Sequence, residues 1–136
     1  MNRVLLDTNV YVDWMRAGEH ERWVVGGQLV RHMSTVVLME LEAGAKTAAA
    51  QRAVASLGGT FERVGRLVQP TRGVWQRAGI ALRKLRSSGL EVRRAALVHD
   101  VLIALTAREI GATLLTRDES DHKASRKIVG HSFSPV

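Results

Sequence analysis

The sequence predicts an α/β domain with a mostly parallel central sheet and helices on both faces. Three observations carry that prediction. Short apolar runs of strand length alternate with longer helical segments. The 136 residues suit one domain spanning 1–136, and no repeat, low-complexity tract or linker divides them. Hydrophobic residues make up 46% of the chain, enough for a sizeable core and too many for a disordered polymer.

The elements follow in order. Val4-Leu5-Leu6 makes residues 3–6 a short buried strand. Residues 10–15 read as a helix ending before Gly18, and 19–25 as a second short helix stopped by Gly26-Gly27. Residues 33–36 are the second strand. The Ala-rich stretch 37–57 reads as one long helix, with Leu41, Ala45 and Ala48 at helical spacing and Gly58-Gly59 as the loop beyond. Residues 63–68 are ambiguous and stop at Pro70. Residues 71–86 are amphipathic: Trp75, Ala78, Gly79, Leu82 and Leu85 share a face, and most of the cations lie off it. Ser87-Ser88-Gly89 is a loop. Residues 95–110 form a strongly apolar helix ended by Gly111. Residues 112–116 are a strand, 119–127 a helix and 128–133 a last short strand.

Charge narrows the partners. A net charge of +7, from 20 Lys and Arg against 13 Asp and Glu, points first to nucleic acid, with a merely soluble basic protein as the alternative. Arg72, Arg77, Arg83, Lys84, Arg86, Arg93 and Arg94 place seven cations within 23 residues, opposed by Glu91 alone. That surface holds an RNA backbone or is a solvated helix face. Aromatic residues, at 4%, are too few for base stacking to dominate recognition, so Trp14, Trp23 and Trp75 are assigned to core or interface. The absence of cysteine removes disulfides and thiolate metal sites and fits a reducing compartment. No apolar run approaches the roughly 18 residues that span a bilayer, and Met1-Asn2-Arg3 opens no signal peptide. A cytoplasmic protein without a membrane partner is the expectation.

The chemistry lies in where carboxylates fall. The first strand ends in Asp7-Thr8-Asn9. An acid closing a buried strand is costly unless compensated, although turns and helix caps use the same residues. Residues 112–116 run into Arg117-Asp118-Glu119-Ser120-Asp121. In a parallel sheet such strand ends share one rim, where ligands bind. Asp100 projects from the apolar side of its helix: at about 100° per residue, Ala96, Leu97, Ile103, Ala104 and Ala107 lie near its direction. A cap at the helix N-terminus is the alternative. In "MELEAGA", Glu40 and Glu42 sit on opposite flanks of the apolar stripe, and helix geometry does not choose between them. Several carboxylates sharing a small site need a cation. Oxygen ligands without cysteine or clustered histidine point to Mg²⁺, or Mn²⁺ in its place. Mg²⁺ held by acids beside a basic surface suits phosphodiester hydrolysis.

"LLDTNV" at 5–10, "STVVLMELEAGA" at 34–45, "HDVLIALTAREIGATLLTRD" at 99–118, and Asp121 resemble the PIN-domain ribonucleases. Within them the nearest branch is the VapC-type toxins of toxin–antitoxin pairs. The resemblance covers nearly the whole chain in order. It implies a PIN-like three-layer α/β/α sandwich and a Mg²⁺-dependent endoribonuclease cutting structured RNA such as tRNA or rRNA, with 5′-phosphate and 3′-hydroxyl products. Asp7, Glu40, Asp100 and Asp118 are the implied catalytic acids, with Asp121 joining them as a metal ligand. The resemblance selects Glu40 over Glu42 and leaves open whether Asp118 or Asp121 touches the metal. In the family that last acid usually precedes a phenylalanine; His122 stands there. Thr8 and Thr116 match hydroxyls that orient the carboxylates, or are ordinary turn residues. The resemblance further implies a homodimer and a cognate antitoxin over the acidic groove, joined in a larger complex. Tyr11, Trp14 and Trp23 supply its docking surface, or else pack in the core.

Rival functions fit less well. A catalytically weak RNA-binding module would keep the fold and lose acids, and none of the main positions is lost. An aspartyl-phosphate phosphatase would want a second Asp at position 9, which is Asn. A dinucleotide enzyme would need GxGxxG after the first strand, and it is absent. His32, His99, His122 and His131 read as structural.

Overall fold

The computed structural model describes residues 2–89 and 94–136. Arg93 and Glu91, counted in the charge-rich stretch, lie outside them. The described elements run β1 (Arg3–Leu6), α1 (Thr8–Ala17), α2 (Glu21–Val24), β2 (Val30–Ser34), α3 (Thr35–Gly44) and α4 (Ala48–Arg63). They continue with β3 (Leu67–Val68), α5 (Arg72–Ser87), α6 (Ala95–Glu109), β4 (Thr113–Thr116), α7 (Glu119–Val129) and β5 (Phe133–Pro135).

The five strands form one sheet in the order β3-β2-β1-β4-β5, with every pairing parallel. Leu5 sits opposite both His32 and Leu114. Val4, Leu5, Leu6, Leu114 and Leu115 are wholly buried, as strands covered on both faces require. Helices flank the sheet in a three-layer α/β/α sandwich. From β1 the chain moves outward to β2 and β3, then returns to build β4 and β5 on the other side. The connections therefore diverge between β1 and β4, and a crevice opens at the C-terminal ends of those strands. No described helix is long and apolar enough to cross a membrane.

Capping side chains fix where helices begin, and several boundaries differ from expectation for that reason. Ser34 accepts a hydrogen bond from the Val36 N–H, which ends β2 at Ser34 and commits Thr35 and Val36 to α3. The expected long helix over 37–57 is two helices. Thr47, in extended conformation, accepts from the Ala50 N–H and starts α4 afresh. Gly58-Gly59 is inside α4, not a loop. A Cβ on Gly58 would come within 2.9 Å of Leu38 Cδ1, so this glycine lets α3 and α4 approach closely.

Two further differences concern faces and ends. The buried stripe of α5 is Val74, Ala78, Ala81 and Leu85, while Trp75 is 56% exposed and Gly79 is also outside. The apolar face therefore lies a residue away from the Trp75–Gly79 line. Helix α7 runs on through Ile128 to Val129 and stops at left-handed Gly130, so the last strand is Phe133–Pro135. Tyr11 is wholly buried, and Trp14 and Trp23 pack against the core.

Candidate functional site

Asp7 closes β1 at the β1–β4 crevice and is 4% exposed. The helix-cap reading is realised. Its Oδ1 accepts the Thr8 N–H at 2.9 Å, capping α1. Its Oδ2 accepts the Thr116 hydroxyl at 2.8 Å and faces His122 Nε2 at 3.3 Å. Thr8 also joins α1 to α3, because its hydroxyl donates to Glu40 Oε1 at 2.7 Å. The other Glu40 oxygen, Oε2, lies 3.3 Å from His99 Nδ1. Glu42 is exposed. Helix geometry left the choice open; the Thr8 bond shows Glu40 on the crevice side.

Asp100 is the sixth residue of α6, whose N-cap is Arg94, so it is no cap. Burial foremost, then the nearby Asp7 carboxylate, pushes its pKa up to about 7, and Glu40 and Asp121 add to the rise. Asp7, Glu40 and Asp121 thus lie near enough to Asp100 to act on it. Asp100 and Asp121 line a cleft of about 150 Å³ together with Arg94, Leu97, Val101 and Ser125.

Asp118 is held differently. Its Oδ2 accepts from Asn9 Nδ2 at 2.9 Å, its own N–H donates to Thr116 Oγ1 at 3.0 Å, and Arg117 Nε is 3.9 Å from Oδ1. The carboxylates that raise Asp100 include Asp121 and not Asp118. Asn9 is a strut that sequence reasoning missed: its Oδ1 also accepts the Arg117 N–H, tying α1 to the turn after β4.

The histidines depart most from expectation. His122 and His131 are almost wholly buried, and His122 Nδ1 lies 3.1 Å from His131 Nε2. His122 reaches Asp7, and His99 reaches Glu40, so the acids have imidazole neighbours and the site is not free of clustered histidine. One signal existed for His122: it shares a helical stripe with Ser125 and Val129.

Among the described residues, the one group of ligand atoms all lying within 4.8 Å of one another is Asp13, Glu19 and His20, which includes none of the rim acids. The buried Asp13 is already committed, to His20 Nε2 at 2.9 Å and Arg117 Nη1 at 2.7 Å. The His20 bond, more than the Arg117 charge, holds its carboxyl below the usual range. This junction fastens Arg117, and so the Asp118 turn, to α1.

The rim suits a hard cation. Among the described residues no lysine or arginine nitrogen lies within 4.0 Å of a carboxylate oxygen of Asp7, Glu40, Asp100 or Asp121. These acids, without a paired lysine or arginine among the described residues, present oxygen donors of the kind Mg²⁺ and Mn²⁺ accept. A PIN-domain profile matches residues 4–127. The chain belongs to the PIN-domain family. The matched span of this PIN domain takes in Asp7, Glu40, Asp100, Asp118 and Asp121. PIN domains are nucleases that use divalent metal.

Solved structures agree on the fold. The chain is similar to one in VapBC2 from Rickettsia felis, bound to a promoter DNA fragment, at 20% identity and a TM-score of 0.71, covering 98% of each chain. It is similar to one in DNA-bound VapBC from Salmonella typhimurium at 23% identity and a TM-score of 0.72, covering 99% of this chain and 98% of that one. VapBC-1 from nontypeable Haemophilus influenzae gives 20% and 0.72, with 98% and 97% covered. No curated protein matches it in sequence.

Proposed function

We propose that this PIN domain is a Mg²⁺-dependent endoribonuclease, the toxin of a toxin–antitoxin pair, acting in the cytoplasm on structured RNA such as tRNA or rRNA. One observation carries the reading: Asp7 after β1, Glu40 in α3 and Asp121 in α7 all lie near enough to Asp100 in α6 to raise its pKa. Asp7, Glu40, Asp100 and Asp121 are the proposed ligands of Mg²⁺, or of Mn²⁺ in its place. Asp118, held by Asn9, flanks them and acts through water. The bound cation supplies charge neutralisation at the phosphate and a more acidic water. The protein's own residues hold the acids ready: Thr8 fixes Asp7 and Glu40 together, and Thr116 fixes Asp7 and the Asp118 turn.

RNA contact falls to cations near the rim. Arg94 lines the Asp100–Asp121 cleft, and Arg72, Arg83, Lys84 and Arg86 are exposed along α5. Arg77 is less suited, because its Nη2 pairs with Glu109 Oε2 at 2.6 Å.

The antitoxin's seat is a hollow of about 890 Å³, which lies away from the acids between α1 and α4. Trp14, Met15, Ala53 and Leu57 line it. A smaller hollow of about 170 Å³ shares Met15, Arg16 and Ala50 with it and ends at Glu40. A partner segment lying along this apolar track would arrive at the acids. The relatives above, solved as VapBC complexes, support that reading.

The test is cleavage of total RNA by partner-free protein in Mg²⁺ or EDTA, beside Asp7→Asn and Asp100→Asn. Discrete cuts that require Mg²⁺ and disappear in both variants are expected. Folded protein that cuts nothing, in Mg²⁺ or Mn²⁺, would favour the RNA-binding module instead. Ala53→Arg, in the groove and off the rim, should keep cutting while losing inhibition by the protein encoded beside it. Full inhibition of that variant would remove the groove from the account.

A further inference from the structure

We propose that His122, backed by His131, is a positioning residue that sets the Asp7 carboxylate for cation binding, an inference that rests on reading Asp7 as a metal ligand. The hydrogen bonds allow one economical arrangement. An ionised Asp7 Oδ2 only accepts, so the His122 Nε2 facing it at 3.3 Å must carry the proton. The contact between His122 Nδ1 and His131 Nε2, at 3.1 Å, then needs one donor.

If His122 Nδ1 were that donor, His122 would be an imidazolium and His131 would carry its proton on Nδ1. His131 Nδ1 is buried without a partner, so that arrangement would strand an N–H. With His131 Nε2 donating instead, Nδ1 is a bare nitrogen and only an acceptor goes unused. Burial foremost pushes the His131 pKa down to about 4, which keeps that ring neutral. The chain of donors is therefore His131 Nε2–H to His122 Nδ1, then His122 Nε2–H to Asp7 Oδ2.

Packing holds both rings in place. Their centroids are 5.1 Å apart at 70°, and Phe133 lies 5.8 Å from His122 and 5.5 Å from His131. Oδ2 thus has two side-chain donors, Thr116 and His122, while Oδ1 has the Thr8 N–H and a remaining lone pair for the cation. A histidine pair that merely filled space would leave Asp7 indifferent to its nitrogens. Hydrogen bonds to ligating carboxylates, by contrast, tune metal affinity.

Two measurements test this. Nitrogen-15 NMR of the metal-free wild type should show a proton on Nε2 of both His122 and His131. Calorimetric Mn²⁺ titration should show His122→Phe binding about 10- to 100-fold more weakly than wild type, with His122→Gln, which keeps a donor, recovering most of the loss. A His122 proton on Nδ1 alone, or equal Mn²⁺ affinity in His122→Phe and wild type, would overturn the inference and leave the metal site standing. Wild type that binds no Mn²⁺ would overturn the metal reading and the inference with it. If His122→Phe does not fold, the wild-type spectrum decides.

Discussion

Asp7 does two jobs with one side chain. Its Oδ1 caps α1, and its Oδ2 is fixed by Thr116 and His122 at the crevice. Asp100 shows what such crowding does to stability. The folded protein keeps the Asp100 proton up to about pH 7, whereas the unfolded chain sheds it near 3.8. The native state therefore binds more protons between those values, and metal-free stability falls as pH rises through that window. Asp100→Asn removes this decline. In EDTA at about pH 8 it should melt a few degrees above wild type, where roughly 1 kcal/mol corresponds to about 3–6 °C. It should also lose most of the stabilisation that added Mg²⁺ gives wild type. Thermal melts in EDTA and in Mg²⁺ check both, and a variant that melts lower in EDTA would refute the first. At this scale Asp7 and Asp100 were legible because each interrupts an apolar run. The histidine pair was not: His122 and His131 meet only through the packing of α7 against the turn into β5.

Elements were legible where their ends were marked, as at Gly18 and Gly111. Boundaries set by a side chain reaching back to a backbone N–H were harder to read. Ser34 and Thr47 moved the end of β2 and split the Ala-rich helix. Glycine misled within α4, where its small size serves packing and not a turn. The contrast with α5 is testable. Gly79 is exposed in mid-helix, and a Cβ there meets nothing within 4 Å. Gly79→Ala should raise stability by about 0.5–1 kcal/mol. Gly58→Ala should gain less or nothing, because Leu38 must shift to admit the methyl group. Urea denaturation of the two variants decides, and a larger gain at Gly58 than at Gly79 would contradict the packing account.

For the whole molecule, alternating strands and helices fixed the class, and the acids after β1 and β4 fall at the C-terminal ends of neighbouring parallel strands, as expected. The strand order was not readable from the chain, because it depends on which strands pair after the crossover from β3 to β4. That order has a consequence for the time course of the protein's own making. Asp7 and Glu40 are synthesised early, Asp100 much later, and Asp121, His122 and His131 near the end of the described chain. A chain on the ribosome thus carries half of its rim through most of translation, with β1 still lacking β4 at its side. A nuclease whose rim takes residues from α7 is left incomplete until α7 and β5 have emerged.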